Sequence, residues 1–85
     1  MKEFRYIIKA ADGIHARPAG VLVNTALKYK CDITMKANDR EASVKKLFAL
    51  MKLGIKQNDV ITVVFNGEDE EDAYKEITKN IGENY

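Results

Sequence analysis

Ile33-Thr34-Met35-Lys36-Ala37-Asn38-Asp39-Arg40-Glu41-Ala42-Ser43-Val44 reads as two short strands folded back on each other. Ile33 to Ala37 alternates, as a strand with one buried face should, because successive side chains point to opposite sides of a sheet. Asn38-Asp39 offers turn chemistry, and Arg40 to Val44 returns as the second arm of a hairpin. A tight hairpin makes this part of the sheet antiparallel. After it, nearly every residue from Leu47 to Leu53 is apolar, which predicts a short helix, and Gly54 stands where a helix C-terminus wants a left-handed residue. Val60 to Phe65 is the most β-branched stretch and predicts a central strand with Ile61, Val63 and Phe65 inward. Asn66-Gly67 ends it. The acidic run Glu68-Asp69-Glu70-Glu71-Asp72 fits the first turn of a last helix, where carboxylates stabilise the positive end of the macrodipole. Ala73, Tyr74, Ile77 and Ile81 supply that helix's apolar face, Gly82 marks its expected end, and a short tail runs to Tyr85.

Upstream of the hairpin, Phe4-Arg5-Tyr6-Ile7-Ile8-Lys9 predicts a strand with Phe4, Tyr6 and Ile8 on one face, broken by Asp12-Gly13. From Ala16 to Lys28 the period changes, and Ala19, Leu22, Val23, Ala26 and Leu27 form one buried helical stripe. Pro18 falls in the first turn, where its missing N–H costs nothing. The order is βαββαβα. Helices that cover only one face of six-residue strands predict an α+β open-faced sandwich, with one antiparallel sheet.

The chain has 85 residues, so residues 1–85 are expected to form one domain that carries the whole function. Its apolar share of 46% is close to the ~45–50% of ordinary globular chains and argues for folding. Fourteen Lys and Arg against 13 Asp and Glu give a formal net charge of +1, which provides no global attraction for nucleic acid or acidic lipid. No apolar run is long enough for a membrane span or signal peptide, so we expect a soluble cytoplasmic protein with no membrane insertion. Cys31 is the only cysteine and can form neither an internal disulfide nor a thiolate zinc cluster; it reads as an inert residue at a loop edge.

Gly13-Ile14-His15-Ala16-Arg17-Pro18-Ala19 is the stretch that structural economy explains least well, since it places the only histidine beside an arginine at a helix start. With Pro18 in the first turn, His15 falls at or beside the N-cap, and the free N–H groups of Ala16 and Arg17 point towards whatever the imidazole carries. The partial positive charge there stabilises a dianionic phosphoryl group, Arg17 adds mobile charge, and Gly13 permits a tight approach from the strand. No general base accompanies the histidine, which suits phosphoryl transfer through nitrogen, where a neutral imidazole needs no deprotonation. A histidine that merely caps a helix, and an anion-binding arm without covalent chemistry, fit the same residues.

That segment resembles the active-site signature of HPr, the histidine-containing phosphocarrier family of the bacterial sugar phosphotransferase system. The resemblance extends along the chain through the element order, Lys52-Leu53-Gly54 and Gly67-Glu68-Asp69-Glu70. It implies a four-stranded antiparallel sheet in the order 1-4-2-3, covered on one face by three helices. It also implies that His15 accepts a phosphoryl group on Nδ1 from enzyme I and passes it to enzyme IIA domains, with Arg17 steadying the charge. No cofactor or metal is implied, and a monomer is expected.

Leu47, Phe48, Leu50, Met51 and Leu53 point in too many directions for a sheet on one side to bury them all. Leu47, Phe48 and Met51 are expected outside, forming a docking surface with Ala16, Gly20 and Asn24, which recur on the open flank of the first helix. Lys28, Lys45, Lys46 and Lys52 are expected to ring that surface with positive charge. One departure from the family is plain: position 46, in many members a serine modified by a dedicated kinase, is Lys46 here, and Ser43 lies at a strand end. An HPr-like paralogue serving a regulatory or nitrogen-related branch is the leading alternative. A small α+β module binding RNA or protein is the remaining class, which neutral charge and the lack of an aromatic strand motif disfavour.

Overall fold

A computed structural model describes all 85 residues, Met1–Tyr85. The elements are β1 (Lys2–Ile7), α1 (Ala16–Ala26), β2 (Asp32–Ala37), β3 (Arg40–Ser43), α2 (Leu47–Met51), β4 (Val60–Asn66) and α3 (Glu70–Asn84). The four strands form one sheet in the order β1-β4-β2-β3, and every neighbouring pair is antiparallel. The expected open-faced sandwich, βαββαβα with three helices on one side, is therefore the architecture found.

The hairpin closes as its turn residues suggested. Asn38 and Asp39 both adopt positive φ, 52° and 62°, the pairing that matches the natural twist of two strands joined by a two-residue loop. Register follows from the alternation: Phe4, Val63, Met35 and Ala42 lie in one row across the sheet, while Arg5, Thr62, Lys36 and Glu41 lie in the next. Val63, Met35 and Ala42 are buried with Ile33, Ile61 and Phe65 on the helix side, leaving the charged row on the open face. The core is completed by Ala19, Leu22, Val23 and Ala26 of α1, Leu50 of α2, and Ala73, Ile77 and Ile81 of α3.

Four expectations shift. β1 runs Lys2–Ile7 rather than Phe4–Lys9, because β4 offers partners from Phe65 opposite Lys2 to Val60 opposite Ile7. Leu27, expected in the buried stripe, is 58% exposed: α1 ends at Ala26, and Leu27 as C-cap sits at the margin of a stripe centred on Leu22, Val23 and Ala26. The second helix is only Leu47–Met51, with Lys52 as C-cap and Gly54 left-handed just beyond, at φ 64°. α3 runs through Gly82 to Asn84 instead of ending there, since the Tyr85 N–H still donates to the Ile81 carbonyl at 3.0 Å and Tyr85 itself is buried.

Asp69 does more than complement the dipole of α3. As its N-cap it accepts from the N–H groups of Lys30 and Cys31, at 2.8 and 2.9 Å, and so ties the start of α3 to the entry of β2. These backbone bonds hold its carboxyl below the ordinary 3.8. Cys31 is buried there, and desolvation pushes its thiol up to about 11, an unreactive cysteine.

Candidate functional site

β1 hands the chain to a loop that ends at His15. Within it Gly13 has φ 63°, and a Cβ on it would overlap the Ile55 carbonyl oxygen and stand 2.9 Å from Lys56 Cα. Only glycine fits, because the loop before α1 leans directly on the backbone of the loop before β4. Ile14 is buried beside Ile55 in the core and donates its N–H to the Ile55 carbonyl at 3.4 Å. The chain then turns outward at an exposed His15.

His15 is the N-cap of α1, extended at φ −118° and ψ 172°, and its side chain makes no capping bond. Its carbonyl accepts the first helical bond, from the Ala19 N–H at 3.0 Å. Pro18 has no N–H, and those of Ala16 and Arg17 have no partner in the protein. Two free donors and the positive end of an 11-residue helix thus converge next to an unencumbered imidazole. Arg17 is exposed, outside every ion pair of the chain. Geometry of this kind can hold a dianion on a ring nitrogen; the plain capping reading loses its support, since the imidazole caps nothing.

α1 and α2 pack against each other. On α1, Ala16 and Asn24 are exposed and Gly20 is half-buried along one flank, as the spacing predicted. On α2 the three expected outward residues separate. Phe48 is 80% exposed, whereas Leu47 and Met51 are half-buried against the core, so the expectation that all three stand outside needs correcting. Helical angles give the reason: Phe48 lies about 200° from the fully buried Leu50, while Leu47 and Met51 lie on its two flanks. Val21 and Leu27, 52% and 58% exposed, add apolar surface to α1 that its sequence pattern did not announce.

The expected ring of lysines also divides. Lys28 pairs with Glu76 at 2.7 Å, and Lys45 donates to the Tyr29 carbonyl at 2.7 Å, so both are engaged in holding the fold. Lys46 and Lys52 are exposed and unpaired. Lys46 is the N-cap of α2 with no side-chain capping bond. Ser43 ends β3, its hydroxyl accepting from the Lys45 N–H at 3.2 Å. No group of three or more His, Cys, Asp or Glu side chains could hold a metal ion.

A scan against protein families matches residues 2–83 to the PTS HPr component phosphorylation site family. The chain belongs to the HPr family. Among relatives of this HPr-type chain, the phosphocarrier protein HPr of Mycoplasma genitalium is 45% identical over 74 residues, 86% of this chain and 84% of the relative. A solved histidine-containing phosphocarrier protein from Mycoplasma superposes with a TM-score of 0.94 at 33% identity, covering 96% of this chain and 93% of its own. A crystallised HPr dimer from Thermoanaerobacter tengcongensis superposes with a TM-score of 0.77 at 35% identity, covering 98% and 95%. As an HPr, the chain is a phosphocarrier of the phosphotransferase system, linked with sugar transport. No helix is long and apolar enough to cross a membrane.

Proposed function

We propose that this HPr accepts a phosphoryl group on His15 from phosphorylated enzyme I and donates it to enzyme IIA domains during sugar uptake. The observation that carries the reading is the exposed His15 at the N-cap of α1, with the N–H groups of Ala16 and Arg17 unpaired beside it. In the accepting step a lone pair of the neutral ring, at Nδ1, forms the new N–P bond as the donor's bond to phosphorus breaks. The phosphoryl oxygens then lie against the free N–H groups, and Arg17 balances their charge as it is redistributed in the transition state. Donation reverses these events. No proton has to leave the attacking nitrogen, which is why the site needs no base.

Ala16, Gly20 and Asn24 on α1, with Leu47, Phe48, Met51 and Lys52 on and after α2, are the partner-binding surface in this reading. Small residues let a partner close on His15, and Phe48 is the apolar anchor. Residues 1–85 act together as one cytoplasmic unit and as a monomer; sedimentation over a range of concentrations checks the latter, given the dimeric relative. Incubation with phosphoenolpyruvate and catalytic enzyme I, followed by intact mass, tests the central step. One acid-labile phosphate is expected on the native chain and none on His15→Ala; labelling of the alanine variant refutes the assignment.

Lys46 supports a second reading, in which the same chemistry serves a regulatory or nitrogen-related branch rather than sugar import. Presenting the phosphorylated protein to sugar-type and nitrogen-type IIA domains separates the two.

A further inference from the structure

We infer that the Asp59 carboxylate is a positioning group for His15, acting through the loop between α2 and β4. The inference rests on His15 being the phosphoryl acceptor. No side-chain bond holds the imidazole, so its direction is set by the backbone that delivers it. That backbone is fixed from behind: Gly13 fits against Ile55 and Lys56, and the Ile14 N–H reaches the Ile55 carbonyl.

The position of Ile55 and Lys56 depends in turn on a turn closed from both ends. The Asp59 N–H donates to the Lys56 carbonyl at 3.0 Å, and the Lys56 N–H donates to Asp59 Oδ2 at 2.9 Å. The same oxygen accepts from Asn38 Nδ2 at 3.3 Å, and that amide also reaches the Leu53 carbonyl at 3.1 Å. One carboxylate oxygen therefore joins the tip of the β2–β3 hairpin to the loop on which the His15 segment leans. Three further bonds bind that loop to the residues just after β1: the Ile8 N–H to the Asp59 carbonyl at 2.9 Å, the Asn58 N–H to the Ile8 carbonyl at 2.7 Å, and Gln57 Nε2 to the Lys9 carbonyl at 3.1 Å. Asp59 touches no reacting atom, so its effect on transfer is one of orientation, where sub-ångström displacements change rates strongly.

The test compares Asp59→Ala, which removes the acceptor, with Asp59→Asn, which retains an oxygen in its place. With phosphorylated enzyme I as donor and the HPr variant as varied substrate, Asp59→Ala should lower kcat about tenfold with KM within about twofold, because docking by α1 and α2 is untouched. Exchange of the Ile14 amide should quicken about tenfold in the same variant. Asp59→Asn should restore both to within about twofold of the native protein. Asp59→Ser, whose hydroxyl is a shorter acceptor, provides a second variant and should fall between them. An Asp59→Ala protein with native kcat, a loss expressed in KM alone, or a loss that asparagine does not rescue overturns the inference. The phosphate acceptor is checked in parallel with His15→Ala: labelling there sinks the His15 assignment, whereas labelling confined to His15 with native kcat in Asp59→Ala sinks only the role of Asp59.

Discussion

At the scale of single residues, Arg17 and Lys46 make the sharpest demands. Arg17 is exposed and packs nothing, so Arg17→Ala should change stability by less than about 0.5 kcal/mol. Transfer should nevertheless slow by roughly 10²-fold, since a cation beside a phosphoryl group in flight acts like a fixed donor on developing charge. Stopped-flow or quench-flow transfer from enzyme I checks this, and an unchanged rate removes Arg17 from the site. Lys46 caps α2 without a capping bond, and a positive charge at the positive end of a helix is unfavourable. Lys46→Ser should raise stability by about 1 kcal/mol through a new cap and should create a substrate for an HPr kinase, while the native chain takes no label from kinase and ATP. Phosphate mapped to Ser43 of the native chain would contradict this. The fold gives Ser43 a different task, as an acceptor for the Lys45 N–H at the end of β3. Nothing in the structure explains why lysine stands at position 46.

Among the elements, α2 separates docking from packing within five residues. Phe48→Ala should cost less than about 0.5 kcal/mol of stability, as expected of an exposed side chain, yet weaken enzyme I binding by at least about 1 kcal/mol. Leu50→Ala, two positions on and 1% exposed, should do the reverse, with about 2–5 kcal/mol lost on unfolding. Thermal melts and calorimetric titration distinguish them. Much of this level was legible beforehand, because local rules governed it: the Asn38-Asp39 turn, the alternation of Ile33 to Ala37 and the stripe of α1 each depend on neighbours in sequence. Where distant packing prevailed, local signals misled. Gly82 lacks any stopping role because α3 is held to its last turn by the burial of Ile81 and Tyr85, and Leu47 and Met51 are half covered because α2 packs its flanks against the core and meets both α1 and β3. His15 and Arg17 stood out as unusual residues in a helix start. The contacts of Gly13 and Ile14 with Ile55, and of Asn38 with Asp59, were invisible, since they join residues that no periodicity relates.

For the molecule as a whole, titration sets a plateau of stability with two shoulders. Asp69, Glu70 and Glu76 have carboxyls lowered by hydrogen bonds, from the Lys30 N–H, the N-terminal ammonium and Lys28 respectively as the largest influences. A lowered folded value means that stability is present above the ordinary carboxylate range and drains away as pH falls through the folded value. On the alkaline side the sign inverts. Cys31 is raised from 9.0 to about 11 by burial, Tyr29 from 10.0 to about 12, chiefly by its bond to Glu76, and Tyr85 to about 12 by burial. The folded state holds these protons more tightly, so stability should decline from pH 9 upward as the unfolded chain ionises first. Urea unfolding at a series of pH values checks both shoulders, and Cys31→Ala should delay the alkaline one.

The contact between Tyr85 and the segment after β1 has a consequence for how the protein comes into being. A backbone oxygen of Tyr85 accepts from the N–H groups of both Lys9 and Ala10, at 2.6 and 2.7 Å, so the loop that carries His15 is held at its root by the C-cap of α3. Its other support, Gly13 against Ile55, spans some forty residues. Contacts between such distant residues carry a larger loop-closure entropy and tend to assemble after local turns and helices. A nascent chain can therefore build its β2–β3 hairpin early and still lack a formed acceptor. Competence for phosphate, on the proposed role of His15, should arise late in folding, after α3 has docked.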